Sequence, residues 1–98
     1  MLELITKEFI LMVDTLSATC DIENDRIIIE KEYFKKLLEK YAYMNFKDKT
    51  KVYKDLNFII HDKNNYTLPC RESGKTVRKV VINYKTYLTL KELQAEVK

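Results

Sequence analysis

Glycine and proline are nearly absent from this sequence of 98 residues, which contains only Gly74 and Pro69. These residue types mark loops and linkers, so their scarcity excludes long flexible connections. Most of the chain is therefore expected to lie in helices and strands. Because a chain of this length supports one core, we expect a single domain spanning residues 1–98.

Long apolar runs are also missing, and none approaches the roughly 20 residues that cross a bilayer. The N-terminal apolar run is interrupted by Lys7 and Glu8, with Glu3 near its start, which is not typical of a secretion signal. The sequence therefore predicts a cytoplasmic protein without a membrane partner.

Residues that carry chemistry are few. His61 is the single histidine, and Cys20 and Cys70 belong to no CxxC motif or Cys/His cluster, so two buried free thiols are expected. The acidic stretch 21–25 lacks the glycine and distal glutamate of a calcium loop. No GxxxxGK[ST] loop is present, so no ATPase is inferred. We expect no enzyme, no metal site and no cofactor.

The positive charge is concentrated in one part of the chain. Residues 47–79 carry a net charge of +5, whereas residues 1–46 carry −3 and residues 80–98 carry +1. A local excess of cations is the electrostatic requirement of a nucleic-acid surface, although lysine-rich faces are also common on ordinary solvated surfaces. The candidate nucleic-acid contacts are Lys47, Lys49, Lys51, Lys54, Arg71, Lys75, Arg78 and Lys79.

The first half of the chain predicts two helices and a strand between them. Residues 2–17 place an apolar stripe at helical spacing, and Leu4 and Leu11 fall outside it. These two leucines form a possible interface with a partner, or they are ordinary surface residues. The β-branched run 26–29 predicts a short strand, with a lead-in to the next helix as the alternative. Residues 32–43 predict a helix that buries Tyr41 with its other apolar residues.

A short basic helix is predicted next, over residues 48–57, with Asp48 as its N-cap. Val52 and Leu56 lie four residues apart and are expected to face the core. This orientation leaves Thr50, Tyr53 and four lysines outside, namely Lys47, Lys49, Lys51 and Lys54. Tyr53 and Tyr66 are then either candidates for stacking on bases of a single strand or amphipathic residues at the edge of the core.

The remaining segment predicts a hairpin and a final helix. Strand residues 58–61 and 66–70, separated by a turn, lead to a tip at residues 72–75, where Gly74 supplies a positive φ, and residues 76–84 return. Thr89 and Glu92 form a capping box that opens a helix through residue 98. Leu90 and Leu93 are expected to hold this helix against the first one.

The stretches DRIII (25–29), EYFKKLL (32–38), YKDLNFIIHDK (53–63) and GKTVRKVVI (74–82) occur in an order that resembles a known domain. They are similar to the C-terminal winged-helix domain of replication helicases and primase–helicases from phages, plasmids and mobile cassettes. The resemblance covers roughly residues 22–84. It implies an α+β winged helix-turn-helix fold, with three to four helices and a small antiparallel sheet whose hairpin is the wing.

The resemblance also implies a function. The domain would bind single- or double-stranded DNA and serve a replication ATPase or primase in the same chain or a separate one. Because the basic helix offers mainly lysines, with Asn57 at its end, we expect weak binding with little sequence preference. Two alternatives remain open: a protein-interaction winged helix, such as a phage-type adaptor or inhibitor, and a dimeric transcriptional repressor. DNA binding requires the lysines after Met44 and the cations around Gly74 to converge on one face.

Overall fold

Four helices and a four-stranded antiparallel sheet form an α+β arrangement in the computed structural model, which describes residues 2–63 and 65–96. The elements, in chain order, are α1 (Leu2–Thr19), β1 (Arg26–Ile29), α2 (Lys31–Glu39), α3 (Phe46–Asp55), β2 (Ile59–Ile60), β3 (Leu68–Glu72), β4 (Lys75–Asn83) and α4 (Tyr84–Glu96). In the described part of the chain, no helix is long and apolar enough to span a bilayer.

Strand β4 is the common partner of the other three strands. Its C-terminal half pairs with β1, from Ile29 opposite Val80 to Arg26 opposite Asn83, and with the short strand β2 on its other side. Its N-terminal half pairs with β3 alone and forms the hairpin. The predicted strand at residues 26–29 is therefore confirmed, and it pairs with the returning strand of the hairpin. Of the predicted strand 58–61, only Ile59–Ile60 is a strand.

The core lies between the helices and one face of the C-terminal half of the sheet. Val80 and Ile82 alternate along β4 and join the buried stripe of α1, which was predicted correctly. An aromatic cluster fills the centre. The rings of Phe9 and Phe58 are stacked with centroids 4.2 Å apart, and Tyr53 meets both of them edge-on. The dominant contribution to stability is this apolar burial.

Helix α2 ends at Glu39, four residues before its predicted end. The expectation that Tyr41 is buried is wrong, because the chain leaves the helix and 47% of Tyr41 is exposed. Helix α3 begins at Phe46, and its N-cap is Asn45, whose Oδ1 accepts a hydrogen bond from the Asp48 N–H at 2.8 Å. Asp48 is therefore not the N-cap. Its Oδ2 accepts from Asn45 Nδ2 instead, which closes a reciprocal capping arrangement.

Helix α4 follows β4 directly, starting at Tyr84. The Oδ1 of Asn83 accepts from the Thr86 N–H at 3.2 Å and caps the first turn. The predicted capping box at Thr89 is wrong, since Thr89 lies inside the helix and its hydroxyl donates to the Lys85 carbonyl. The helix is held to α1 by Tyr87, whose hydroxyl donates to Asp14.

Of the two leucines predicted to hold α4 against α1, only one packs against the core. Leu90 packs partly buried against the core, whereas Leu93 is exposed. The last two residues of the predicted helix lie outside the described residues.

The hairpin turns at Ser73 and Gly74, as predicted. Both have positive φ, 54° and 80°, which a two-residue turn of type I′ requires. Glu72 and Lys75 flank the turn and pair with each other. The tip is exposed, so its geometry follows from local turn chemistry.

Candidate nucleic-acid interface

One exposed side of α3 carries three lysines, Lys47, Lys51 and Lys54. Their spacing of four and three residues places them along one side of a helix, over roughly 10 Å of its axis. Together with Asn65 and Tyr66 they line a groove, which we call the α3 groove, between α3 and the chain that enters β3. The structure thus brings three predicted contact residues together.

The wall opposite the lysines is fixed by aromatic packing. The ring of Tyr66 stacks on Phe34 with centroids 6.0 Å apart and meets Phe46, the first residue of α3, edge-on at 5.7 Å. Burial raises the pKa of Tyr66, and the nearby carboxylate of Glu32 adds to the effect, so the phenol is uncharged at neutral pH. Tyr66 therefore lines the groove without adding negative charge.

The charges of these three lysines are available to a ligand. Across residues 2–63 and 65–96, no ion pair involves Lys47, Lys51 or Lys54. The acidic residue among those lining the groove is Asp48, which is engaged by Asn45. The α3 groove therefore has a net positive potential, which attracts phosphate.

The prediction that Lys49 contacts nucleic acid is wrong, because Lys49 lies in the core with 1% of its surface exposed. Its ammonium donates to Glu8 Oε2 at 2.6 Å and to the carbonyl oxygens of Leu38 and Tyr41 at 2.5 Å each. These carbonyls lie at the C-terminal end of α2, where a cation is stabilised by the unpaired carbonyl groups. Lys49 joins α1, α2 and α3 and is not accessible to nucleic acid.

Tyr53 and Thr50 are buried as well, so their predicted exposure is wrong, and Tyr53 is excluded as a base-stacking residue. The hydroxyls of Tyr53 and Tyr43 both donate to Glu8 Oε1, at 2.9 and 3.0 Å. Burial raises the pKa of both phenols, and the charge of Glu8 raises it further. Glu8 thus holds a polar cluster in which the carboxylate receives three hydrogen bonds.

Two predicted hairpin contacts are engaged within the protein. Arg78 donates through Nε to Thr67 Oγ1 at 2.9 Å and forms an ion pair with Asp62. Lys79 lies 2.6 Å from Glu72 and 3.0 Å from Glu30, and these carboxylates raise its pKa to about 12. These ion pairs connect the base of the hairpin to the rest of the protein and partly neutralise the charges of Arg78 and Lys79.

Arg71 and Lys75 are the exposed cations of the hairpin, and neither forms an ion pair within the described ranges. Their positions differ. Arg71 pairs with Thr76, which shares a face of β4 with Arg78 and the core residues Val80 and Ile82.

Lys75 and Lys79 are an even number of residues apart in β4, so they share a face. That face is opposite to the one with Val80 and Ile82. The expected convergence of the hairpin cations on one face is therefore wrong for Lys75 and Lys79. Arg71 lies on the side of the helices, and Lys75 does not.

The structure also describes the cysteines, the histidine and the two α1 leucines that the sequence singled out. Both cysteines are free, but they are half-buried rather than buried as expected. His61 approaches the carbonyl oxygen of Asp62 through Nδ1. Among the residues that the structure describes, no group of three or more metal-binding side chains is present. Leu4 and Leu11 are exposed on α1, as predicted.

Comparison of the sequence with models of known protein families gave no match, and comparison with curated proteins gave no significant match. Any functional assignment therefore rests on the fold and on the residues described above.

Proposed function

We propose that this protein binds nucleic acid through the α3 groove, with the β3–β4 hairpin as a second contact. The observation that carries the proposal is the alignment of Lys47, Lys51 and Lys54 along one groove, where none of them forms an ion pair with another described residue. Several cations spaced along a surface are what a phosphate backbone requires, since each neutralised phosphate releases counterions.

The order of the elements supports a winged-helix fold for this module. A helix, a short strand, two helices, the two-residue strand β2 and a hairpin follow one another. The short strand β1 pairs with the returning hairpin strand β4. In winged-helix domains, the helix before the hairpin and the wing contact nucleic acid together. A fold alone does not determine a function, so the functional assignment depends on the lysines of the α3 groove.

Binding through this surface would depend mainly on the phosphates. Base edges are read chiefly by arginine, asparagine and glutamine, whereas the α3 groove offers three lysines with Asn65 on the opposite wall. Ammonium groups are point charges that tolerate many geometries. We therefore propose weak binding with little sequence preference.

The wider proposal places this module in DNA replication in the cytoplasm of a cell that hosts a phage or mobile element. There it would supply DNA contacts to a replication ATPase or primase, in the same chain or in a separate one. The resemblance of residues 22–84 to helicase-associated winged-helix domains is what suggests this partner.

Fluorescence anisotropy with labelled single- and double-stranded oligonucleotides tests the proposal. We expect binding at about 50 mM salt that weakens steeply towards about 200 mM. For three phosphate contacts, the slope of log K against log salt should be about −2.7 on duplex DNA and about −2.1 on single strands. The variant Lys51→Glu/Lys54→Glu should lose about tenfold or more in affinity and have a shallower slope.

The matched control is Lys36→Glu/Lys85→Glu, which makes the same change in net charge at exposed sites on α2 and α4. It should retain affinity within about threefold of the unmodified protein, because screening weakens distant charges. Equal losses in the two variants, or no binding at low salt, would overturn the proposal. Circular dichroism verifies that both variants remain folded.

A further inference from the structure

A second groove lies on the surface between α1 and the connection that follows α2. Two adjoining hollows share Glu8, Leu11 and Tyr41 and form one continuous depression, which we call the α1 groove. Leu4 and Leu11 stand on α1 with 51% and 44% of their surfaces exposed, and Tyr41 faces them with 47% exposed. Three large apolar side chains thus border one groove.

The buried polar cluster closes the floor of this groove. Glu8 lines it, but its carboxylate is occupied by Lys49 and by two tyrosine hydroxyls. Glu8 therefore offers no free negative charge to a ligand. Within the described residues, the exposed charged groups that line the groove are Lys7 and Lys40, both cationic.

We propose that the α1 groove is a docking site for an amphipathic helix of a partner protein, with acidic residues flanking its apolar stripe. Leu4 and Leu11 lie seven residues apart, two helical turns or roughly 10 Å along the axis, which matches the repeat of an apolar stripe on a partner helix. Lys7 and Lys40 would pair with the acidic residues at the edges of that stripe. This inference does not depend on the proposed nucleic-acid binding.

The charges also argue against a second copy of this chain as the occupant. In an antiparallel α1–α1 contact, Leu4 of each copy would meet Leu11 of the other. Lys7 lies next to the midpoint between the leucines, so it would lie close to its own counterpart. Like charges directly opposed across an interface are destabilising, whereas an acidic helix removes the conflict.

Two designed peptides provide the test, each about 18 residues long so that a helix can form. Both carry leucines at i, i+3 and i+7 positions, and they differ only in flanking residues, which are glutamate in one and lysine in the other. The acidic peptide should bind, with the basic one about tenfold weaker, in anisotropy titrations. Chemical-shift changes in ¹H–¹⁵N spectra should concentrate in residues 4–15 and 37–43.

Two matched variants locate the binding. Leu4→Ser/Leu11→Ser should weaken binding of the acidic peptide about tenfold. Leu88→Ser/Leu93→Ser removes leucines of similar exposure, 43% and 51%, from α4 and should leave binding unchanged. Equal effects of the two variants would overturn the proposal.

The variant Lys7→Glu/Lys40→Glu tests separately whether the two lysines select the acidic peptide. It should reverse the preference between the two peptides. Sedimentation equilibrium tests the other possible occupant of the α1 groove, a second copy of this chain. A dimer that disappears in Leu4→Ser/Leu11→Ser would assign the groove to self-association and overturn the proposal. The α3 variant Lys51→Glu/Lys54→Glu should bind the acidic peptide normally, so failure of either binding proposal can be recognised independently.

Discussion

The ammonium of Lys49 is surrounded by one carboxylate, two carbonyl oxygens and the face of Tyr43, whose ring centroid is 4.3 Å away. A buried ion pair adds little net stability compared with an apolar pair, because both ions lose their hydration. Removing one partner is costly, however, since the other charge remains buried. The cluster therefore favours one arrangement of α1, α2 and α3 over others.

We predict that Lys49→Met lowers the free energy of unfolding by about 3–5 kcal/mol, because Glu8 remains buried without its counter-charge. Urea unfolding monitored by circular dichroism measures the change. Lys47→Met on the exposed side of the same helix should change it by less than about 0.5 kcal/mol. The double variant Glu8→Gln/Lys49→Met should recover part of the loss, and no recovery would contradict an electrostatic origin.

Alkaline pH should destabilise the protein through its buried phenols. Burial and the nearby Asp14 raise the pKa of Tyr87 to about 12, and burial with the charge of Glu8 raises that of Tyr53. A group with a raised folded pKa stabilises the fold fully below the unfolded value, about 10, and this stabilisation is lost as pH rises further. Unfolding free energies measured between about pH 8 and 11 should therefore fall above pH 10.

The variant Tyr53→Phe separates the two roles of that phenol. It should cost about 1 kcal/mol at neutral pH, because Glu8 loses one hydrogen bond. Above pH 10 its stability should fall less steeply than that of the unmodified protein, since one titrating group has been removed. An unchanged slope would contradict the assignment.

At the scale of elements, the sequence predicted those parts whose signal is local. The apolar period of α1, the β-branched run of β1 and the Gly74 turn each determine a structure within a few residues. Helix ends were missed where two caps competed, as with Asn45 and Asp48, because packing of the whole domain decides between them. The predicted capping box at Thr89 is wrong because β4 continues directly into α4, so the helix begins before Thr89.

The sequence also did not predict which side of α3 faces the core. Val52 and Leu56 are the apolar residues of its predicted span, and both are only half-buried, whereas Lys49 and Tyr53 face the core. The signal for this orientation is a charge partner, Glu8, 41 residues away on α1. Without coordinates, nothing in local spacing selects that pair. Three of the four α3 lysines were nevertheless assigned to the correct side.

The cap of α4 gives a direct test at this scale. Asn83→Ala should lower the unfolding free energy by about 1 kcal/mol, because the Thr86 N–H loses its acceptor at the helix start. Thr89→Ala should leave stability unchanged or raise it slightly, since alanine has the higher helix propensity. Thermal and urea unfolding of both variants measure the difference, and a larger loss for Thr89→Ala would restore the sequence-based capping box.

The hairpin offers a second test, which rests on the proposed nucleic-acid binding. Arg71→Ala should weaken oligonucleotide binding about fivefold, because Arg71 lies on the helix side of the hairpin. Lys75→Ala, on the opposite face, should change the affinity less than twofold. Anisotropy titrations at low salt compare the two variants, and equal losses would show that the hairpin contacts nucleic acid through its tip or both faces.

The whole molecule is elongated, with principal extents of 48 × 28 × 24 Å. Burial is uneven along its central strand: residues 80–82 are buried, whereas residues 75 and 76 at the hairpin end are exposed. Charge is uneven as well, because Lys49 is internal and Arg78 and Lys79 are paired. The net charge of the basic segment therefore overstates what a ligand encounters.

Amide hydrogen exchange should reveal this uneven stability. Protected amides of residues 80–82 should exchange only through global unfolding, whereas those of residues 75–77 should exchange through local opening of the hairpin. Mass spectrometry of peptides from the two halves of β4 measures the rates. Equal protection of the two halves would indicate that the hairpin and core form one cooperative unit.

The continuity of β4 limits how this protein can tolerate insertions. Adding one residue within the strand would turn Val80 and Ile82 out of the core, because successive side chains point to opposite faces. Residues added as cross-strand pairs next to the Ser73–Gly74 turn preserve both faces. Homologous chains should therefore vary in hairpin length by equal numbers of residues in the two strands, with the core half constant.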